Sequence, residues 1–203
     1  KKYKSISLQL VAAASAISGS YGKVVDQIKK DGFEVTAEVY NLISGENVIS
    51  AAKTTGLGII ELSTVFANIK PDMVVTIADR YETMATAIAA SYMNIPLIHI
   101  QGGEVTGNID EKVRHAITKL ADVHLVATEM ARERVIKMGE NPDRVYVTGC
   151  PSIDIAENVK NNYAKLIFDP VKKYNGVGKL IKNRSKYIVV MQHPVTTSIS
   201  EAR

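Results

Sequence analysis

Residues 97–115 read LIHIQGGEVTGNIDEKVRH, and this stretch decides the fold. Its spacing predicts a buried strand over Leu97–Gln101, then a glycine-rich turn, then a helix that begins with the acidic residues Asp110 and Glu111. In open α/β sheets, ligands bind outside the carboxyl ends of the strands. Helix starts at that edge favour anions, because their N–H groups are unpaired and the helix dipole is positive there. The stretch therefore predicts an α/β fold with a site for a negatively charged ligand.

The alternation of apolar strands and helical patterns continues on both sides of this stretch and predicts a parallel sheet with helices on both faces. Residues 73–78 form a continuous apolar run, which is typical of a strand buried on both faces. Further strands are predicted over 6–14, 34–40, 123–127 and 145–148, and helices over 21–30, 46–69 (weakened at Gly56 and Gly58), 82–93, 111–121, 129–138 and 154–163. An irregular, lysine-rich segment over 169–186 then precedes a last apolar strand, Tyr187–Gln192, and we interpret that segment as a domain connection.

The composition is that of an ordinary globular protein: of 203 residues, 46% are hydrophobic and 23% are charged. This length suffices for one full core and the beginning of a second domain. No apolar run reaches the roughly 18 residues that span a bilayer. The net charge of +4, without any Trp, predicts neither a nucleic-acid nor a membrane partner. Cys150 is the single cysteine, which excludes an internal disulfide. With no secretory signal pattern, a cytoplasmic location is expected.

Several catalytic motifs are missing from the sequence. There is no GxGxxG after a strand, no GxxxxGK followed by Ser or Thr, no HExxH and no GxSxG. These absences argue against a dinucleotide-binding enzyme, a P-loop enzyme, a zincin and a serine hydrolase. The sequence also has no Asp-x-Asp pair and no cysteine-based zinc site, so no metal is predicted.

Charged and polar residues follow the ends of two predicted strands. Asp79 and Arg80 come directly after the strand over 73–78, and Gln101 and Glu104 flank the glycine turn after the next strand along the chain. Glycines at this point let backbone N–H groups approach a ligand closely; they are Gly102, Gly103 and Gly107. The alternatives are structural, since Asp79 can cap the next helix, Arg80 can be solvated and the glycines can form a plain turn.

The helix that follows carries a second group of candidates. Asp110 and Arg114 are four residues apart and share one helix face, where the alternative to a ligand role is a surface ion pair worth only about 0.3–0.5 kcal/mol. His115 lies well round the helix from the apolar stripe, so it is either exposed or faces the glycine turn. The histidines within apolar strands, His99 and His124, are predicted to be core residues.

Taken in order, these residues resemble the motifs of the UDP-N-acetylglucosamine 2-epimerase family. The resemblance is strongest to its hydrolysing branch, which feeds sialic-acid-type sugar synthesis. It rests on the ordered set Asp79-Arg80, HIQGGEVTG at 99–107, IDE at 109–111, RHAITKL at 114–120, GCPS at 149–152 and QHPVTT at 192–197. The family is similar to glycosyltransferases of the B type, in which two Rossmann-like domains close over a nucleotide sugar. The resemblance implies that this chain is the first half of such an architecture.

The resemblance also implies a reaction and a set of roles. Hydrolysing members eliminate UDP from UDP-GlcNAc to give a 2-acetamidoglucal, and water then adds to release N-acetylmannosamine. The implied substrate is a UDP-sugar, no redox cofactor or metal is implied, and a homo-oligomer is expected. The implied catalytic residues are Asp79, Gln101, Glu104, Asp110 and His193, and the implied substrate-binding residues are Arg80, Gly102, Gly103, Arg114 and His115.

The sequence departs from the family pattern in two places. The family often has glutamate where this chain has Gln101; because a glutamine cannot take a proton, either Glu104 does that work or Gln101 only positions substrate. The family also opens with a strand that ends in a Gly-Thr-Arg-like turn, which does not precede Lys1. We therefore expect residues 1–184 to form an N-terminal Rossmann-like domain without its first strand, and residues 185–203, with His193 at a strand end, to begin a second. Alone, the chain is expected to be inactive and to associate, or to be disordered after about Phe168.

Other functions stay open at this point. A non-hydrolysing epimerase or a retaining sugar transferase of similar architecture would share the fold, and product analysis separates them because only hydrolysis releases free N-acetylmannosamine with UDP. A hydrolysing epimerase of a UDP-2,4-diacetamido sugar would share the chemistry. A non-catalytic nucleotide-sugar-binding or subunit-contact domain is the alternative of another class, and titration with UDP tests it.

Overall fold

The computed structural model describes residues 5–45 and 47–161, together with residues 172, 175–177, 188 and 190. The chain divides into two compact units, Lys1–Cys150 and Pro151–Arg203. The predicted domain boundary between 184 and 185 and the predicted site residue His193 lie outside the described residues. So does the predicted last strand, Tyr187–Gln192, apart from Ile188 and Val190, and these three expectations stay predictions.

The first unit alternates strands and helices along the chain. Its strands are β1 (Val11–Ala13), β2 (Ala37–Val39), β3 (Val74–Ile77), β4 (Leu97–Ile100), β5 (Val123–Val126) and β6 (Val145–Val147). Its α-helices are α1 (Val24–Lys30), α2 (Val48–Ile69), α3 (Tyr81–Tyr92), α4 (Ile109–Leu120) and α5 (Glu129–Lys137), with short 3-10 helices at Ala14–Ile17, Gly19–Tyr21 and Pro142–Arg144. The second unit begins with α6 (Pro151–Asn161). No helix in the described ranges is long and apolar enough to cross a membrane.

All described strands pair in parallel, as the alternating pattern predicts. β3, β4, β5 and β6 form one sheet in that order, and β1 pairs with β2. The register places Thr76 beside His99 and His99 beside His124. Because the carboxyl ends of parallel strands meet at one edge, the residues that follow β3 and β4 become neighbours there. The α/β fold class is confirmed.

The core of the sheet depends on small residues in its helices. Four alanines of α3 are almost completely buried, and they pack with Val74, Leu97 and Ile117; they are Ala85, Ala87, Ala89 and Ala90. A Cβ added at Gly58 would lie 2.9 Å from the Cβ of Ala85, so this glycine lets α2 approach α3 closely. The predicted helix is confirmed and runs unbroken through Gly56 and Gly58, from Val48 to Ile69, behind an Asn47 capping box.

Two strand predictions need correction. β1 begins at Val11 instead of Ile6, and the side chains of Ile6 and Leu8 are exposed. β3 is not buried on both faces: Val74 is buried, but Val75 is 54% exposed. Buried and exposed residues alternate along β3, an edge strand of the four-stranded sheet in the described part of the chain, so its apolar run is covered on one face only.

Candidate active site

The backbone turns sharply where β3 and β4 end. Ala78 has φ +62° and Gln101 has φ +63°, which are left-handed values that cost a residue with a Cβ roughly 1–2 kcal/mol. Gly149, just beyond β6, has φ +79°. Backbone strain of this kind clusters at functional sites. Its occurrence after two neighbouring strands indicates that this edge of the sheet is shaped for a purpose other than stability.

A cleft of about 310 Å³ opens at this edge, and the predicted residues Asp79, Gln101, Glu104 and Arg114 line it with Ala78, Ala127 and Cys150. The structure thus brings together residues that follow β3 and β4 with one from α4. Cys150 was not among the predicted site residues, yet its thiol lies 3.1 Å from Nε2 of Gln101, which donates to it. Its position directly after Gly149, beyond a strand end, was the signal that could have placed it here.

Arg114 and Asp79 form an ion pair in this cleft. Nη2 of Arg114 donates to Oδ2 of Asp79, and Nη1 donates to the Glu104 carbonyl over 2.7 Å. The two side chains are only 7% and 18% exposed, and burial lowers the pKa of the Arg114 guanidinium from its ordinary value. Arginine nevertheless stays protonated in proteins. The cleft therefore holds a compensated pair of charges shielded from water.

Two alternatives from the sequence are wrong at this pair. Arg114 turns to Asp79 and not to Asp110, so the surface ion pair within α4 is not the contact that forms. Asp79 does not cap α3 either, because the N-cap residue of that helix is Arg80, without a side-chain cap. Asp110 is half-buried in the first turn of α4, where the side chain of Asn108 accepts from its backbone N–H over 3.0 Å.

The glycine turn packs tightly behind the cleft. A Cβ at Gly102 would lie 2.9 Å from Oγ1 of Thr118, and a Cβ at Gly103 would lie 2.5 Å from the Ala131 carbonyl oxygen. Arg134 of α5 also donates to the Gly103 carbonyl. Both glycines are buried, so packing against α4 and α5 is reason enough for them. Their predicted contact with substrate stays a prediction.

Glu111 holds the loop between the glycine turn and α4. Its carboxylate accepts from the backbone N–H groups of Gly107 over 2.6 Å and Thr106 over 2.8 Å, and these bonds lower the pKa of Glu111. Nε2 of His115 lies 3.9 Å from the same carboxylate. His115 therefore faces this loop, while its Nδ1 is buried and has no hydrogen-bond partner among the described residues. The N-cap-to-N3 spacing from Asn108 to Glu111 was a signal for this anchor.

Arg80 lies outside the lining of the cleft. Its Nε donates to Oε2 of Glu82 over 3.0 Å, and its Nη2 donates to Oε1 over 3.2 Å. The hydroxyl of Ser15 donates to Oε1 of the same glutamate over 3.0 Å. The Arg80 side chain is 60% exposed. It is thus neither fully solvated nor placed against Asp79, and its predicted role in binding substrate is not supported by this geometry alone.

A parallel α/β sheet with a charged cleft at the carboxyl ends of its strands is typical of proteins that bind anionic ligands such as nucleotides. The chain belongs to the UDP-N-acetylglucosamine 2-epimerase family, whose sequence model matches residues 1–203.

Two curated relatives show the range within this family. The chain is 36% identical over 173 residues to a hydrolysing UDP-N,N'-diacetylbacillosamine 2-epimerase of Legionella pneumophila, covering 83% of this chain and 46% of that protein. It is 36% identical over 194 residues to the polysialic acid biosynthesis protein P7 of Escherichia coli, covering 95% and 47%. The predicted resemblance to the hydrolysing branch is confirmed. The chain spans about half the length of these relatives.

A solved structure confirms the fold. The UDP-GlcNAc 2-epimerase of Neisseria meningitidis, crystallised with UDP-GlcNAc, matches with a TM-score of 0.67 at 24% identity, over 85% of this chain and 46% of that one. At this identity the match supports the fold alone, which is the glycosyltransferase-B-like α/β fold that the resemblance implies.

Proposed function

We propose that the protein is a hydrolysing UDP-N-acetylglucosamine 2-epimerase, which converts UDP-GlcNAc and water to N-acetylmannosamine and UDP. The observation that carries this proposal is the buried Asp79–Arg114 ion pair, which lines one cleft with Glu104 and Gln101. Family membership and the hydrolysing relatives support it. The reaction on this chain, and the roles below, are our inference.

The chemistry asks for carboxylates and a cation at one place. In the first step a base takes the C2 proton, the bond from C1 to the UDP oxygen breaks, and a 2-acetamidoglucal remains. In the second step water adds across the C1–C2 double bond, with hydroxide at C1 and a proton at C2. The proton arrives on the face opposite to the one from which the first proton was removed, which gives N-acetylmannosamine. Carboxylates serve as base and as stabilisers of positive charge at C1, and a guanidinium offsets the leaving diphosphate.

We assign the proton transfer to Glu104 and electrostatic stabilisation to Asp79. Glu104 lines the cleft, and Arg114 holds its backbone carbonyl, which limits how far the side chain can move. Gln101 cannot accept a proton, and its amide donates to the Cys150 thiol, so it orients substrate. Asp110 and His193 keep the catalytic roles that the family resemblance implies.

A second candidate is a hydrolysing epimerase of a UDP-2,4-diacetamido sugar. The relative in Legionella pneumophila favours it, because its name states that substrate at 36% identity. The substrates of the two candidates differ at two sugar carbons. At C4, UDP-GlcNAc has a hydroxyl group where the diacetamido sugar has an acetamido group, and at C6 the diacetamido sugar has a methyl group. Elimination at C1 and C2 is common to both, so the cleft described above serves either one.

The experiment is product analysis on the intact gene product with each UDP-sugar in D₂O. We expect UDP and the free 2-epimeric sugar in equal amounts, with deuterium at C2. Accumulation of the UDP-linked epimer without free UDP would establish the non-hydrolysing reaction instead. Saturable UDP binding without any turnover would favour a non-catalytic domain.

Matched variants connect the reaction to the cleft. Asp79→Asn and Glu104→Gln should each abolish most UDP release. Asp143→Asn removes an exposed carboxylate outside the cleft lining and should leave the rate unchanged. Loss of activity in all three would point to a general charge effect and not to this cleft.

We also propose that residues 1–203 alone bind the UDP-sugar without turning it over. The relatives are about twice as long as this chain, and a cleft that closes between two domains excludes water and aligns the reacting groups. UDP release by the isolated chain at about 1 per second or more would overturn this part of the proposal.

A further inference from the structure

His99 links the backbones of both members of the ion pair. Its Nε2 lies 2.9 Å from the carbonyl oxygen of Ala78, the residue before Asp79. Its Nδ1 lies 3.1 Å from Oγ1 of Thr118, and that hydroxyl lies 3.0 Å from the carbonyl oxygen of Arg114, one helical turn back. The ion pair itself completes a closed ring of contacts. The side chain of His99 is completely buried at the centre of this ring.

The partners of His99 determine where its proton lies. A carbonyl oxygen can only accept, so Nε2 must carry the hydrogen that is shared with Ala78. Burial lowers the pKa of His99 to about 4, so the ring is neutral at physiological pH and Nδ1 is a bare acceptor. The Thr118 hydroxyl proton then lies between two acceptors, Nδ1 of His99 and the Arg114 carbonyl. The Nε2–H tautomer donates to the Ala78 carbonyl, and the single Thr118 proton is divided between the other two acceptors.

The strained turn after β3 depends on the same histidine. Ala78 has a left-handed φ of +62°, and its carbonyl is the group that Nε2 of His99 holds. The glycine turn leaves no spare room at this point, because a Cβ at Gly102 would lie 3.0 Å from Nδ1 of His99. The backbone that carries Asp79 into the cleft is thus held at the Ala78 carbonyl by His99 and at the Ala78 N–H by the Ile100 carbonyl, in a tightly packed place.

His124 provides a comparison for His99 within the same sheet. It is the register partner of His99 and is equally buried, at 1% exposure. Its Nε2 lies 3.2 Å from the Glu140 carboxylate, and in the described part of the chain no hydrogen bond of its side chain reaches Asp79 or Arg114. Burial lowers its pKa as well. The two histidines are alike in strand position, burial and chemistry. They differ in their partners, which are the Ala78 carbonyl and the Thr118 hydroxyl for His99 and the Glu140 carboxylate for His124.

We propose that His99 is a positioning residue of the cleft, which sets the distance and orientation of Asp79 relative to Arg114 through Ala78 and Thr118. The expected effect of His99 on the reaction rate rests on the proposed function. Its expected effect on the geometry of Asp79 and Arg114 does not. His99 does not touch substrate; it acts on the two residues that do.

The test uses substitutions that remove one half of the ring at a time. His99→Gln keeps a donor near the Ala78 carbonyl, His99→Asn keeps an acceptor near Thr118, and His99→Leu keeps neither. His124→Leu is the matched control, since it removes an equally buried imidazole from the neighbouring strand. Melting temperatures of all four variants measure the general cost to the fold.

The first readout needs no substrate. In NMR spectra of the intact gene product, a guanidinium fixed by two partners gives separate, slowly exchanging Arg114 N–H signals. We expect these signals to persist in His124→Leu, to weaken in His99→Gln and His99→Asn, and to be averaged in His99→Leu. Unchanged Arg114 signals in His99→Leu would overturn the proposal, whatever reaction the protein catalyses.

The second readout is kinetic and uses the intact gene product. His99→Leu should lower kcat/KM by about 10²-fold, which is the typical cost of misplacing a catalytic group by about 1 Å, whereas His124→Leu should stay within about 3-fold. In an Asp79→Asn background, His99→Leu should add less than about 3-fold, because residues that act through one another are not additive. Fully additive losses would show that His99 only supports the fold. If no variant and no wild-type protein turns over a UDP-sugar, the proposed function fails while the NMR result still decides the role of His99.

Discussion

Arg114 and Asp79 lie 35 residues apart in the sequence, and their side chains form an ion pair in which Arg114 is buried and Asp79 is 18% exposed. One residue follows β3 and the other lies on α4. Because each charge compensates the other, removal of either leaves a buried charge without a partner, which costs far more than the loss of a surface ion pair.

Asp79→Asn is therefore expected to destabilise the protein by roughly 3 kcal/mol, near the lower end for buried pairs because Asp79 is 18% exposed. Asp110→Asn should cost only about 0.3–1 kcal/mol, since it removes a favourable charge from the first turn of α4. Urea denaturation followed by circular dichroism measures both. Equal losses for the two variants would show that the Asp79–Arg114 pair contributes no more than a helix-start carboxylate.

Asp110→Asn should nevertheless reduce turnover of the intact gene product by roughly 10²–10⁴-fold, if Asp110 acts in proton transfer or stabilises charge at C1. Steady-state kinetics on folded protein give this number. Near-normal turnover would remove Asp110 from the mechanism, and its place at the start of α4 would then be explained by the helix dipole alone.

Gln101 and Glu104 are expected to respond in opposite ways to exchange of amide and acid. Gln101→Glu should be tolerated or should raise the rate, because the family often has glutamate at that position. Glu104→Gln should be severe, because it removes the group to which we assign proton transfer. If Glu104→Gln is silent in the same assay, the base is another residue and our assignment is wrong.

Gly103 and Gly107 form a matched pair for testing the packing of the glycine turn. Both have left-handed φ values, +80° and +74°, so alanine costs roughly 1–2 kcal/mol at either from backbone strain. Only at Gly103 would the new Cβ meet a neighbour, the Ala131 carbonyl oxygen at 2.5 Å, which should add roughly 1–3 kcal/mol. Thermal or urea denaturation compares the two, and similar losses would mean that α5 yields easily at this contact.

The protein is expected to lose stability in mild acid through His99. Burial lowers its pKa from 6.5 to about 4. Between these values the unfolded chain binds a proton that the folded chain does not, so the free energy of unfolding falls as pH drops from 6.5 towards 4, by about 3 kcal/mol in total. Burial lowers the pKa of His124 too, which contributes in the same direction.

Urea denaturation between pH 7 and pH 4 measures this dependence. The slope of unfolding free energy against pH reports the number of protons taken up on unfolding. His99→Gln should lower this number by close to one, and His124→Gln should lower it independently. An unchanged slope in His99→Gln would mean that the folded protein takes up a proton at His99 above pH 6, against the burial seen here.

The strands and helices could be read from the sequence because their signals act over short distances. The helix start at Asn108–Asp110 follows from the acidic residues that come after the turn, and the structure places α4 within two residues of the prediction. The burial of β3 could not be read in this way. Its apolar run is compatible with cover on one face or on two, and only the tertiary structure shows that the face with Val75 is exposed.

The candidate site likewise has features that the sequence could predict and features that it could not. The residues at the ends of β3 and β4 were predictable, because parallel strands must end at a common edge. The contact between Arg80 and Glu82 was not predicted, and whether Arg80 binds substrate stays a prediction. Likewise, the buried glycines of the turn look the same in sequence whether they face a ligand or the backbone of α5.

By itself, the sequence determined the parallel α/β fold, the edge at which the cleft lies and the family, since these follow from periodicity, turn residues and ordered motifs within the chain. Only the tertiary structure decided that Arg114 pairs with Asp79 and not with Asp110, and that His99 differs from His124 in what it holds. Each of these contacts joins residues that lie on different strands and helices. They depend on the sheet register and on burial, which removes the water that would otherwise satisfy each charge alone.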